Sequence, residues 1–246
     1  MEMELVLIAG LLIGVVGTGL GGVAIVLLGR PGEKFLSGAL GFAGGIMLTV
    51  IFVSLIPEAI EIAGFLPAFI GIIAGILLIL GMDTLIPQEY FSGTGSFNSH
   101  LIKTGVILGA GIALHNIPEG LAIGISYVAN KNLGYTIALI MLIQNIPEGM
   151  AIAAPLYIGG TSKFKVIGIT ALAGVPMGIG VLIAYLFGNI SPSIISIGLG
   201  FAAGAMLFIV FDEMIPSAND MFNGRPPAIG AIMGALLGVF IGTFGA

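Results

Sequence analysis

Residues 41–59, GFAGGIMLTVIFVSLIPEA, recur in residues 200–218 as GFAAGAMLFIVFDEMIPSA. The two stretches align without a gap and share ten of their nineteen residues. Both are predominantly apolar, and each is nearly long enough to cross the hydrocarbon core of a bilayer as a helix, a distance of about 30 Å. The chain therefore carries an internal duplication, and both copies are predicted to belong to membrane-spanning helices.

The composition of the whole chain agrees with a membrane protein. Hydrophobic residues make up 58% and charged residues 8% of the 246 residues, and the mean hydropathy is +1.20. These values lie far from those of a soluble domain. Barrel strands would alternate in polarity over segments of about ten residues, and no such pattern dominates here. The sequence thus predicts an all-α membrane protein.

Eight membrane spans are predicted from apolar runs that Gly, Pro, Asn and charged residues separate, and they form one domain, residues 1–246. The first span has no basic n-region or cleavage site, so we expect it to remain in the mature protein. The longest connection, residues 87–104, is predicted to be a flexible surface loop. The spans are residues 5–28, 35–56, 65–86, 105–128, 133–158, 166–187, 194–215 and 228–244.

The basic residues predict the orientation of these spans. Six of the seven fall in the connections after spans one, three, five and seven, and only Lys131 falls on the other side. The positive-inside rule makes the six-residue side cytoplasmic, which places both termini outside the cytoplasm, in a cell (inner) membrane. The six residues are Arg30, Lys34, Lys103, Lys163, Lys165 and Arg225.

The duplication predicts an inverted repeat. An odd number of connections separates spans two and seven, so the two similar stretches cross the membrane in opposite directions. A second duplicated motif, HNIPEG at residues 115–120 and QNIPEG at residues 144–149, lies in the consecutive and therefore antiparallel spans four and five. We expect spans one to three and six to eight to be inverted relatives around this central pair, an arrangement that recurs in secondary transporters.

Two features of the composition exclude other classes of function. The chain contains no cysteine, so it can form neither a disulfide nor a thiolate metal site. Seven scattered Lys and Arg residues and a net charge of −5 do not provide the basic surface that nucleic-acid binding needs.

The second motif brings polar residues to the middle of spans four and five. A charged side chain at a helix centre costs about 2.5 to 3.5 kcal/mol on insertion scales, so Glu119 and Glu148 need a partner, a cation or water. Helical spacing puts His115 and Glu119 on one face and Asn116 on an adjacent one, and span five repeats this pattern. The polar pocket predicted from both spans contains His115, Asn116, Glu119, Gln144, Asn145 and Glu148.

The residue types of this pocket favour a divalent transition metal. Imidazole suits Zn²⁺ or Fe²⁺, while the oxygens leave a site that can exchange its ion. Pro118 and Pro147 each remove a backbone donor, which predicts a kink and a free carbonyl on Leu114 and Ile143. Two alternatives stay open: hydrogen bonding between helices, which explains two glutamates poorly, and a proton relay without metal.

These features together resemble the ZIP family of divalent metal transporters in its compact bacterial or archaeal form. The resemblance rests on HNIPEG, QNIPEG, eight spans and two outward termini, and it covers nearly the whole chain. It implies uptake of Zn²⁺, and often of Fe²⁺, Cd²⁺ or Mn²⁺, towards the cytoplasm by a homodimer, with the metal as substrate and no catalytic cofactor. It also implies a primary metal site whose ligands are His115, Glu119, Gln144, Glu148 and, from span two, Met47.

A second, adjacent metal site in such relatives uses the positions of Asn116 and Asn145, the two glutamates and a Glu of span six. In this sequence Val175 stands before Pro176 where that Glu is expected. This departure from the family pattern favours one strong site here, and a weak second site beside it stays open. The histidine-rich loop of many relatives is also missing, because residues 87–104 hold only His100.

The resemblance implies transport by alternating access, with spans one, four, five and six moving against the other four. Two explanations account equally for the acidic residues near the ends of spans two and seven, an ion funnel or a solvated helix end; these residues are Glu58, Glu61, Asp212 and Glu213. The rival functions are transport of another cation or a proton-coupled solute, and an intramembrane metalloenzyme. The chain is not expected to be an enzyme, because it has one intramembrane histidine and no HExxH motif.

Overall fold

The computed structural model describes residues 2–85, 97–187 and 191–245, and these residues are helical almost throughout. Within them, eight helices follow one another in the order of the predicted spans, and we number them α1 to α8. They are α1 Glu2–Leu28, α2 Glu33–Ala63, α3 Phe65–Leu85, α4 Phe97–Ala129, α5 Lys131–Ile158, α6 Lys163–Phe187, α7 Pro192–Met221 and α8 Pro226–Gly245.

The helices have the length and surface of membrane spans. Among the described residues, seven helices are long and apolar enough to cross a membrane, and the apolar part of α3, Phe65–Gly81, is shorter. On α8, Ile232, Leu236 and Phe240 are each 60% exposed. Large apolar side chains exposed in a row suit contact with lipid. A helix also pairs its own backbone polar groups, as a lipid environment requires. The prediction of an all-helical membrane protein is confirmed.

Two helices, α2 and α7, contain a π-helical segment inside the duplicated stretch. Val50–Leu55 in α2 and Val210–Met214 in α7 both end directly before an Ile-Pro pair. The proline then occupies the first turn of the next α-helical segment, where its missing N–H is tolerated. Both helices therefore continue past the predicted ends of their spans, at residues 56 and 215, to Ala63 and Met221.

The start of α4 differs from the prediction. Residues 97–104, predicted as part of a surface loop, form the first turns of this helix, while residues 87–96 of that loop lie outside the described residues. Further along, α4 and α5 continue as helices through Pro118 and Pro147. These two prolines therefore do not end the helices that carry the duplicated motif.

Helix α6 is broken, although residues 166–187 were predicted as one continuous span. Its halves, Lys163–Ala173 and Pro176–Phe187, are separated by a turn at Gly174 and Val175. Pro176 has no N–H to extend the hydrogen-bond ladder, and its ring disfavours helical geometry at the preceding residue. The break leaves Val175 38% exposed.

Close backbone contacts at glycines hold α2 against α8 and α3 against α7. A Cβ atom on Gly45 would collide with the carbonyl oxygen of Ala231, and one on Gly204 would collide with that of Ile72. Small residues allow membrane helices to approach this closely. Gly45 and Gly204 are 159 positions apart, and so are Ile72 and Ala231. The same contact thus occurs twice, between residues with the same separation in sequence.

Helices α4 and α5 lie at the centre, packed along each other and against α6 and α1. The glycine that ends each duplicated motif makes the closest contact. Gly120 leaves no room for a Cβ beside the carbonyl oxygen of Met177 on α6, and Gly149 leaves none beside that of Thr18 on α1. Thr18 and Met177 are again 159 positions apart. This packing holds the polar side chains of both motifs inside the molecule.

Candidate metal site

The two duplicated motifs form one polar cluster in the protein interior. Asn116, Glu119, Gln144 and Asn145 have no exposed surface, and Glu148 is 4% exposed. The Nε2 atom of Gln144 donates a hydrogen bond of 2.7 Å to Oε1 of Glu119, which links α5 to α4. The motifs are 29 positions apart, and the antiparallel packing of the two helices brings them together.

Most oxygen atoms of this cluster lack a hydrogen-bond partner within the described ranges. Neither glutamate forms a salt bridge with a Lys, Arg or His residue of those ranges. Leaving a buried carboxylate or amide oxygen unpaired is costly, and a cation would satisfy several such atoms at once. The atoms are Oδ1 of Asn116, Oε2 of Glu119, Oε1 of Gln144, Oδ1 of Asn145 and both carboxylate oxygens of Glu148.

A cavity of about 90 Å³ reaches this cluster. Met47, His115, Glu148 and Glu213 line it, so that α2, α4, α5 and α7 each contribute one of these side chains. Met47, only 1% exposed, thus lies on the same cavity as these three polar side chains. The volume exceeds the roughly 10–15 Å³ that one water molecule requires. The other lining residues are Leu40, Leu108, Ile112, Ala151, Ile209, Met214, Ser217 and Met221.

His115 contacts a carboxylate that the sequence analysis named only among the acidic residues near the span ends. Its Nε2 atom lies 3.0 Å from Oε1 of Glu213 on α7. The Glu213 side chain is 38% exposed, but it lies inside α7 and not at its end. A solvated helix end, an equal explanation from the sequence, therefore does not account for its contact with His115. The signal that could have identified this residue is the duplicated stretch, where Glu213 replaces Ser54 inside an apolar helix.

The two asparagines of the motifs both contact α6. The Nδ2 atom of Asn116 donates a 2.8 Å hydrogen bond to the carbonyl oxygen of Ala173. The Nδ2 atom of Asn145 lies 4.0 Å from the Sδ atom of Met177. Met177 is fully buried, and no feature of the sequence distinguishes it from a core residue.

The possible metal ligands around this cavity are of mixed type. No group of three or more His, Cys, Asp and Glu side chains in the described part of the chain is arranged to hold a metal ion. A cation bound here would therefore take some of its ligands from amide oxygens and thioether sulfurs. Imidazole, carboxylate, carboxamide and thioether together suit a transition metal better than Mg²⁺ or Ca²⁺, which prefer oxygen alone.

Comparisons with a family model and with known proteins all match zinc transporters. Residues 98–245 match the family model described as "ZIP Zinc transporter". The chain is 34% identical over 255 residues to the zinc transporter ZupT of Chlorobium limicola, covering 94% of this chain and 93% of that protein. It is 32% identical over 241 residues to ZupT of Escherichia fergusonii, with the same coverage. For ZupT of Corynebacterium aurimucosum the identity is 32% over 259 residues, with 98% and 96% covered.

Proposed function

Because the chain belongs to the ZIP family of zinc transporters, we propose that it carries Zn²⁺, and also Fe²⁺, Cd²⁺ or Mn²⁺, into the cytoplasm by alternating access. Membership makes the chain an integral membrane transporter of divalent metal, which excludes the metalloenzyme considered above. The metal is the substrate, and the chemistry needed is binding, exchange of ligands and release.

The proposed site lies between α4 and α5. Its ligands are His115, Glu119, Gln144 and Glu148, with Met47 from α2 and the neighbouring oxygens of Asn116 and Asn145. One observation carries this proposal: six oxygen atoms of the cluster are buried without a hydrogen-bond partner among the described residues. Two carboxylates match the charge of one dication, which lowers the cost of burying all three charges.

The proposed release route follows the cavity from this site. Its lining continues to Leu108 on α4 and to Ser217 and Met221 on α7. These residues lie towards the end of the bundle that carries Lys103, in the first turns of α4, and Arg225, in the connection between α7 and α8. The positive-inside rule makes this side cytoplasmic. Both termini would then be extracytoplasmic. The pair of His115 and Glu213 would pass the ion from the site to this route.

The proposed movement divides the helices into two blocks, α1, α4, α5 and α6 against α2, α3, α7 and α8. The close backbone contacts at glycines described above all lie within a block, and they recur with a separation of 159 positions between equivalent residues. By contrast, Gly198 of α7 faces the side chain of Ile125 of α4, across the blocks. Tight contacts inside each block and side-chain contacts between them support rigid-body motion about a pseudo-two-fold axis. We also propose a homodimer, as the family resemblance implies.

Uptake into proteoliposomes tests this function. Purified protein is reconstituted, Zn²⁺ is added outside, and a fluorescent chelator inside reports its entry. Glu119→Gln and Glu148→Gln should each lower uptake at least about tenfold, since loss of even a supporting group costs 10–100-fold in metal affinity. The matched control is Glu33→Gln, at the exposed start of α2. Unchanged uptake in both site variants would exclude the proposed site. Entry of Na⁺ or an organic solute without Zn²⁺ would exclude the function.

A further inference from the structure

We propose that Met177 is a further ligand of the cation bound at this cluster, which makes this chain prefer soft or borderline cations such as Cd²⁺ and Zn²⁺ over the hard cation Mn²⁺. The inference rests on the proposed transport function and concerns the choice of ion. Its starting point is the contact between the thioether of α6 and the carboxamide of Asn145 on α5.

The geometry of this contact fits two ligands of one ion. The Sδ atom of Met177 lies 4.0 Å from the terminal nitrogen of Asn145, and the Oδ1 atom of the same amide has no partner in the described ranges. Half a turn of the amide exchanges these two atoms and costs at most a weak N–H···S contact. In a tetrahedral zinc site with bonds of about 2.3 Å to sulfur and 2.1 Å to oxygen, the two ligand atoms are about 3.6 Å apart. The observed separation needs little adjustment.

Other unpaired oxygens lie on the same helices as this pair and can bind the same ion. Asn116 and Asn145 each precede a glutamate by three residues, a spacing that puts amide and carboxylate on neighbouring positions of one helix face. The same face of α4 contacts α6 at two places. Asn116 donates a hydrogen bond to Ala173, and one turn later Gly120 approaches the backbone of Met177 closely. The Oδ1 atom of Asn116 and the Oε2 atom of Glu119 are buried and unpartnered in the described chain.

A packing role for Met177 accounts for less of this arrangement. Methionine commonly fills space in protein cores. Met177 belongs to the larger buried apolar cluster, which also contains Ile125 and Val181. An apolar residue of the same size would fill that space equally well, and packing alone leaves the amide oxygen of Asn145 buried without a partner in the described chain. Ligation satisfies the oxygen and uses the sulfur.

The charge of the site limits it to one ion at a time. A thioether adds no negative charge, so Glu119 and Glu148 remain the two carboxylates of the cluster and balance a single dication. Met177 belongs to the block of α4 and α5, whereas Met47 belongs to the block of α2. Met177 would therefore stay with the ion through the transport cycle, and Met47 would contact it in one conformation. Because a thioether favours soft cations, we expect a thioether that stays with the ion to influence which ion is carried.

Met177→Leu tests the proposal, because leucine keeps the volume and removes the sulfur. The matched control is Met150→Leu, a buried methionine in the smaller apolar cluster with Ile25 and Ile152. Uptake of Cd²⁺, Zn²⁺ and Mn²⁺ is measured in proteoliposomes. The Cd²⁺ to Mn²⁺ ratio should fall at least about tenfold in Met177→Leu, the scale of affinity losses at metal sites, and should stay unchanged in the control. An equal ratio in both variants would overturn the proposal.

X-ray absorption provides a readout besides transport. Protein carrying Met47→Leu is loaded with one equivalent of Cd²⁺, and a remaining cadmium–sulfur distance is expected. That signal should disappear when Met177→Leu is added. If Met47→Leu protein binds cadmium but shows no cadmium–sulfur distance, Met177 is not a ligand, while the proposed transport function is unaffected. Wild-type protein that binds no cadmium would instead refute the proposed function.

Discussion

The Nε2 atom of His115 lies 3.0 Å from Oε1 of Glu213, although 98 positions separate these residues in the sequence. The contact joins α4, which carries the first motif, to the π-helical segment of α7. The carboxylate also lines the cavity that leads from the site. It connects the proposed metal site to the proposed release route.

Glu213→Gln should slow zinc uptake at saturating zinc by about tenfold, while zinc affinity changes less. The reason is that the variant keeps the hydrogen bond to His115 but loses the charge that accepts the ion from it. Uptake rate and equilibrium binding are measured on the same preparation. Asp212→Asn is the matched control, because Asp212 is the adjacent carboxylate and is exposed. Equal loss in both variants would argue against a specific role for Glu213.

Zinc uptake should fall as the pH is lowered from about 7.5 to about 5.5. Protons and metal compete for imidazole and carboxylate, so acid removes the binding form of these ligands and lowers the affinity. The variant His115→Gln, which converts HNIPEG into QNIPEG, should have a shallower pH profile. Initial rates at several zinc concentrations distinguish lost affinity from lost turnover. Faster uptake at acid pH would indicate proton coupling instead.

Gly45→Ala should destabilise the protein by about 1–3 kcal/mol, the usual cost of overpacking. The added Cβ meets the backbone of Ala231, which cannot move without shifting α8. Thermal unfolding in detergent measures the effect. Gly168→Ala is the control, because a Cβ there has no atom within 4 Å, and an exposed helical glycine gains up to about 1 kcal/mol on this change. Equal melting temperatures would contradict the close contact.

Single cysteines should report the orientation, since the chain has none of its own. Ser217→Cys lines the cavity at the site and should react with an impermeant thiol reagent only from the cytoplasmic face. Glu58→Cys, at the equivalent position of α2, lines a separate pocket at the other end of the bundle and should react only from outside. Ser196→Cys, fully buried, is the unreactive control. The reverse pattern of labelling would invert the proposed topology.

The sequence was most informative where a property repeats along the chain. Apolar length and composition predicted the helices, although the break before Pro176 and the helical start at Phe97 were missed. Prolines illustrate the limit, because α4 and α5 continue through Pro118 and Pro147 while α6 does not continue through Pro176. Whether a proline ends a helix depends on which neighbours replace the lost hydrogen bond.

By itself, the sequence determined that this protein lies in a membrane, that it is all-helical and that it contains a duplication. It also showed polar motifs within apolar helices. Hydropathy and periodicity are local properties of the chain, so these features can be predicted without the structure. Only the tertiary structure decided which side chains meet those motifs. Glu213 lies at His115 and Met177 lies at Asn145, while Val175 is left at an exposed turn. These contacts depend on the rotation and register of packed helices. Glycine contacts with the backbones of neighbouring helices fix both, and hydropathy along one helix does not encode them.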